Sequence, residues 1–218
     1  MLFETKLCKV LKLRYKLSLI AMASVVFFLV LLQTNSFLSN NVPIASKVLV
    51  VEGWLPDYAL KQAIEIFRRE HYKMIITTGG PLGVGSYLKE YKDYANLAKA
   101  TLLALGMKDE EVFAVSAADV KRDRTYHSAL ALKEWISINK SRVEAFNLAS
   151  LGPHTRRSSL LFQKAFSDED GLLENSIEIG SFAIEPEDYN PQKWYASSAG
   201  VRTTINELIA YMYVVLLK

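Results

Sequence analysis

An uncharged apolar run from Leu17 to Leu32 constrains this chain more than any other feature. The weaker stretch Gln33 to Leu38 can extend it, so that Leu17–Leu38 covers 22 positions. A helix needs ~20 such residues to span a bilayer. Lys6, Lys9, Lys12, Arg14 and Lys16 precede the run. A basic leader followed by an apolar core fits both a signal anchor and a cleaved signal peptide. The run is long for a signal-peptide core, and no clean small-x-small site directly follows it. The expectation is therefore an uncleaved single-pass transmembrane anchor. Its basic flank stays in the cytoplasm, which places the rest of the chain on the outer side.

Charge divides at the same place. Of 26 Lys+Arg and 23 Asp+Glu, residues 1–16 hold five bases and one acid. The remainder holds 21 bases and 22 acids, a net of −1. The basic character belongs to the leader, so no basic face argues for nucleic acid. The single cysteine, Cys8, lies before the apolar run. The outer region thus has neither a disulfide framework nor a thiolate metal site. The expected organisation is a cytoplasmic leader over 1–16, an anchor over 17–38, a polar linker over 39–46 and one domain over 47–218. About 175 residues after the anchor suffice for one sizeable core.

Within that domain, strand-like and helix-like stretches alternate. Lys47 to Glu52, Met74 to Thr78, Val112 to Val115, Val143 to Ala149 and Ser176 to Ile184 read as strands. Helices are expected from Pro56 and Asp57 to about His71, over Tyr91 to Leu105, from Asp123 or Arg124 through Ile138, over Ser158 to Phe166, and over Val201 to Leu217. Several strands are apolar on both faces. That pattern predicts an α/β, Rossmann-like parallel sheet with helices on both faces. The apolar end of the last helix, Leu208 to Leu217, is too short to cross a bilayer and is expected to pack on the sheet.

Ligands of such sheets bind beyond the carboxyl ends of the strands, and the distinctive residues fall there. Glu52-Gly53-Trp54 closes the first strand. Glu52 can act as an acid or base, or pair with an arginine, and pairing is the more ordinary reading. Gly53 permits a bend or a close approach. Thr78-Gly79-Gly80 closes the second strand. It can present amides to an anion or be a plain tight turn, with Gly83 and Gly85 loosening the loop beyond it. Asp123-Arg124-Thr125 opens a helix, with Asp123 as its expected cap. Gly152-Pro153-His154-Thr155-Arg156-Arg157 comes after the fourth strand. Cations at a helix N-terminus oppose the dipole, so Arg124, Arg156 and Arg157 point to an anion there or to carboxylate partners elsewhere. The arginines beside His154 are expected to keep its imidazole neutral, and so available as a base or hydrogen-bond partner.

No G-x-S-x-G elbow, H-E-x-x-H, dinucleotide fingerprint or phosphate-loop pattern is present. Three histidines without a usable cysteine make a poor zinc set. A metal held by carboxylates stays open, and no metal site is expected.

Taken together, these stretches resemble the bacterial YdcF/SanA/ElyC family over most of Lys47 to Tyr213. The resemblance rests on Val50-Val51-Glu52-Gly53-Trp54, Thr78-Gly79-Gly80, Asp123-Arg124-Thr125 and Gly152 to Arg157. It is extended by Trp194-Tyr195-x-Ser197-Ser198-x-Gly200-x-Arg202, followed by Glu207. The chain departs from the pattern in its thinned glycines after the first strand. Tyr94-Ala95 also stands where an acidic residue is usual.

For an anchored member, the resemblance implies a Rossmann-like domain on the periplasmic side of the inner membrane, with a role in envelope biogenesis. Among relatives there are links to lipid-carrier, polysaccharide or peptidoglycan metabolism. The convergence of cations and glycines at the strand ends, and not the resemblance, is the ground for a further expectation: Gly53, Thr78, Gly79, Gly80, Arg124, Thr125, His154, Arg156, Arg157 and Arg202 surround a phosphate-bearing small molecule or lipid-linked precursor, with His154 or Glu52 doing any proton transfer. Two other readings remain. One is a non-catalytic, membrane-tethered binding or scaffold protein, which an Arg156 or Arg157 locked onto Glu52 or Glu207 would favour. The other is an S-adenosylmethionine or nucleotide binder.

Overall fold

In a computed structural model of the chain, residues 12–83, 90–139, 143–167 and 176–217 are described. Most of the basic leader, with Cys8, and the loop position Gly85 lie outside them. Helix α1 spans Leu13–Leu38. It is the one helix among the described residues long and apolar enough to cross a membrane.

The chain divides into two compact units, the second running from Asn35 to Lys218. The last turn of α1, Asn35–Leu38, thus groups with the second unit. Buried Asn35 donates to Tyr189 Oη at 3.1 Å and Thr204 Oγ1 at 2.8 Å.

Five strands make one all-parallel sheet: β1 Val48–Glu52, β2 Met74–Gly79, β3 Val112–Ser116, β4 Ala145–Leu151 and β5 Glu178–Ile184. Their order is β3-β2-β1-β4-β5, so the direction of winding reverses between β1 and β4. The expected Rossmann-like fold is what the chain forms, with strand ends shifted by a residue or two. Helices α2 (Asp57–Arg69), α3 (Tyr94–Ala104), α4 (Arg124–Ile138), α5 (His154–Phe166) and α6 (Ser198–Leu217) complete it.

The pleat sorts side chains between two cores, because successive residues of a strand face opposite ways. Leu49, Val51 and Ile75 join Ala63, Phe67 and Leu102 of α2 and α3. Val48, Val50 and Ile76 join Leu132, Ile136 and Phe162 of α4 and α5. This alternation has a consequence at the strand ends. Thr77 turns toward α3, where its hydroxyl donates to Ala95 O at 2.8 Å. Glu52 and Thr78, each one residue further on, fall on the α4–α5 side.

Two expectations fail in this part of the structure. The apolar end of α6 does not pack on the sheet. Both sheet faces are already covered by the pairs α2/α3 and α4/α5, and α6 buries only Gly200, Thr204 and Val214. Ile209, Met212, Tyr213, Val215, Leu216 and Leu217 remain exposed. Asp123 does sit at the N-cap of α4, but in a left-handed conformation (φ 58°) and without a side-chain cap bond.

Candidate functional site

A cavity of about 980 Å³ opens at the carboxyl edge of the sheet, beyond the ends of β1 and β2. It lies beside the point where the winding reverses, the usual place for a ligand in an open α/β sheet. On one side stand Thr78, Gly79 and Gly80, with Arg124 and Thr125 at the start of α4. On the other stand Glu52, His154 and Arg157. Eight of the residues singled out from sequence are therefore brought together.

His154 is the hub of the second side. The fourth strand runs to Leu151, and Gly152 turns the chain in the left-handed region (φ 43°) straight into α5. His154 thus begins the helix, so that Arg157 lies one turn behind it on the same face. Its Nδ1 lies 2.9 Å from Glu207 Oε1 of α6, and its Nε2 lies 3.6 Å from Glu52 Oε1. The ring meets the exposed Trp54 edge-on, with centroids 5.0 Å apart. Arg157 closes the group: Nε donates to Glu207 Oε2 at 2.9 Å and Nη2 to Oε1 at 3.2 Å.

Glu52 is fixed from below. It is 3 % exposed, and it accepts from Ser150 Oγ on the neighbouring strand β4. Ser158 Oγ, one turn into α5, donates to Oε1 at 3.1 Å and Oε2 at 3.2 Å. Burial would push its pKa up, but the nearby His154 charge, the hydrogen bond from Ser150 and the Arg157 charge hold it below the ordinary value.

The electrostatics of His154 reverse the expectation of a neutral imidazole. Burial alone would lower its pKa, but the carboxylates of Glu52 and Glu207 outweigh it and raise the value to about 9. The expectation weighed the arginines, which are adjacent in sequence, and missed two acids brought in from 102 and 53 residues away. Glu207, also desolvated, is drawn down to about 2 by its hydrogen bonds to His154 and Arg157. At neutral pH the group therefore holds an imidazolium, a guanidinium and two carboxylates. In that form Nδ1–H donates to Glu207, so the 2.9 Å approach of Arg157 Nη2 to Nδ1 is a contact between two donors. His154 is placed to donate a proton or a hydrogen bond, not to accept one.

Three predicted residues do not line the cavity. Arg156 turns away: Nε donates to Phe37 O, its guanidinium lies 4.0 Å over the Phe37 ring, and Nη2 donates to Asn40 Oδ1 at 3.4 Å. It fastens α5 to the end of α1. Gly53 faces α3, where a Cβ would stand 2.5 Å from Tyr94 O. Its role is close helix packing. Gly79 shares that role, since its Cβ would lie 2.7 Å from Tyr94 Cβ. Arg202 lies exposed on the first turns of α6, outside the cavity lining.

Lys121, Asn206 and Tyr213 line the cavity without having been singled out. Lys121 lies in irregular chain before α4, and the other two sit on a helix whose docking no local pattern announces. Ser150 and Ser158 were equally silent, because nothing local marks a serine as the partner of a buried acid.

Two buried polar atoms in the lining, Thr78 Oγ1 and His154 Nε2, have no hydrogen-bond partner in the protein. Buried polar groups are nearly always satisfied, so both are open to a ligand or to water. Among the described residues, no group of three or more His, Cys, Asp or Glu is arranged to hold a metal ion.

No protein-family model matches the chain, and no curated protein matches it either.

Proposed function

We propose that the protein is a membrane-anchored bacterial envelope factor whose outer domain binds the phosphate end of a small or lipid-linked ligand. The observation that carries this reading is the open hydroxyl of Thr78, 1 % exposed and without a partner, in the wall that holds the start of α4. The first turn of α4 has no side-chain cap from Asp123, so its amides favour an anion. Arg124 and Lys121 supply exposed positive charge at the same wall. The anion would sit against Thr78, Gly80 and the start of α4. His154 would donate to it from the far side through Nε2. In this reading the N-terminus is cytoplasmic and the domain extracytoplasmic.

One observation favours binding without catalysis. Arg157 is already paired with Glu207, and His154 with both acids. That half of the site is neutralised and rigid, and contains no free base. The catalytic alternative would use His154 as an acid.

The test is thermal stabilisation of the full chain in detergent by phosphate, pyrophosphate, a prenyl phosphate, a nucleotide sugar and S-adenosylmethionine. A ligand at 100-fold its Kd adds roughly 2.7 kcal/mol. A phosphate-bearing hit that Arg124→Ala abolishes supports the reading. A response to S-adenosylmethionine alone, or none at all, overturns it.

A further inference from the structure

The cavity is larger than its anion wall requires. Its volume of about 980 Å³ is at the top of the range for sites that enclose a whole small molecule, ~300–1,000 Å³. A phosphate group seated at Thr78 and Arg124 leaves most of that space open. Much of the remaining lining is apolar: Trp54, Leu161, Ile209, Ala210, Tyr213 and Val214.

Spacing on two helices gathers these groups. On α5, His154, Arg157 and Leu161 stand at i, i+3 and i+7, and on α6 Glu207, Ala210 and Val214 repeat that spacing. Each set shares one face of its helix. Both faces begin in the charged group that Glu207 ties together, and both turn apolar beyond it. From Glu207 to Val214 the helix rises about 10 Å. Leu161 and Val214 are buried, whereas Ile209 and Tyr213 are 63 % and 52 % exposed and offer uncovered apolar area. Four of the six side chains are aliphatic. A nucleobase, which is read through hydrogen bonds at its edge, is poorly matched to such a lining. A hydrocarbon chain asks only for apolar area and is well matched.

We infer that the ligand is a phosphate ester of an aliphatic alcohol, with its phosphate against Thr78 and Arg124 and its chain against Leu161 and the Ile209–Val214 stretch of α6. The inference rests on the anion reading above and adds the chemistry of the ligand's other end. The phosphate sets the orientation, and the chain supplies affinity in proportion to its length. A fully buried methylene adds about fourfold in affinity, and one lying in an open groove about twofold.

The test titrates the full chain in detergent with inorganic phosphate and with methyl, butyl and hexyl phosphate, using equilibrium dialysis. The readout is the rise in affinity with chain length. At about twofold per methylene, hexyl phosphate binds roughly thirtyfold more tightly than methyl phosphate. The double variant Ile209→Ser, Tyr213→Ser should reduce that ratio several-fold. Both side chains are more than half exposed, so the fold is not at stake. Comparing two proteins in the same detergent cancels partitioning of the esters into micelles. Equal affinity along the series, or a ratio that the double variant leaves unchanged, overturns the inference. So does tighter binding of a nucleoside monophosphate than of hexyl phosphate. In each of these cases the anion reading survives if Arg124→Ala still weakens inorganic phosphate. Failure of every phosphate compound to bind removes both. Displacement of hexyl phosphate by farnesyl phosphate supports the ester class with a long-chain lipid as its source. Retention of hexyl phosphate against farnesyl phosphate supports it with a short, soluble ester instead.

Discussion

Glu207 holds His154 and Arg157 at once, with one carboxylate oxygen 2.9 Å from the imidazole Nδ1 and the other 2.9 Å from the guanidinium Nε. A single acid on α6 thereby fixes the first turn of α5. The charge state of the pocket and the docking of α6 are a single interaction.

Stability should therefore follow pH in a defined way. The folded pKa of His154 is raised to about 9 from 6.5. Its contribution is complete below pH 6.5 and is lost as pH rises through 9. Glu207 is lowered to about 2 from 4.5, so its contribution is complete above pH 4.5 and is lost as pH falls through 2. A plateau between 4.5 and 6.5 is expected, with a decline on each side on the order of 3 kcal/mol. The two losses are one ion-pair group seen from its two ends and do not add. Thermal melts of the full chain against pH check this. Glu207→Gln should cost about 3 kcal/mol at pH 7 and shrink the alkaline limb, which Glu52 keeps from vanishing. An unchanged limb would refute the assignment.

Gly53 is expected to be a packing residue. An added methyl would meet the Tyr94 carbonyl at 2.5 Å, and backbone there cannot yield cheaply. Gly53→Ala should destabilise by about 1–3 kcal/mol and leave ligand affinity in the surviving folded protein unchanged. Parallel melts and binding isotherms separate the two effects.

Thr78→Val should do the opposite. The hydroxyl has no partner in the protein, so an apolar replacement of similar shape is close to neutral or stabilising. The loss should appear in anion binding, at roughly tenfold for one hydrogen bond of about 1.4 kcal/mol. Equal affinity for phosphate-bearing ligands in both proteins would remove Thr78 from the site.

Two arginines should part company. Arg156→Ala loses the contact with Phe37, at about 1 kcal/mol, and should spare binding. Arg124→Ala removes an exposed cation set against the dipole at the start of α4, so it should spare stability and weaken binding, more so at low salt. Isothermal titration at two ionic strengths would show whether they do.

Much of this architecture was legible in the chain, for identifiable reasons. Runs such as Val48–Val51 are apolar on both pleat faces, which only a sheet covered on both sides accommodates. Residues at strand ends were found because the fold itself gathers them. The pairing of His154 with Glu52 and Glu207 was less visible, because contacts over 53 and 102 residues carry no periodic signature. Adjacent residues misled for the same reason. Arg156 and Arg157 are neighbours in sequence, but the helix points them about 100° apart, one to Phe37 and the other to Glu207. The exposed end of α6 was misjudged because an apolar helix reads the same in sequence whether it packs on the sheet or not.

The segment after α1 has a role beyond connection. Val42 exchanges both backbone hydrogen bonds with Ser181 of the outermost strand β5, at 2.9 and 3.0 Å, and Ile44 is held by the Asn147 side chain. It shields a strand border that would otherwise be open to pairing with another chain. A protease that freed the domain by cutting just after Leu38 would also loosen this strap. The shed fragment should then self-associate instead of persisting as a dispersed soluble form. An uncut junction with α1 would, on this view, protect the domain against its own aggregation.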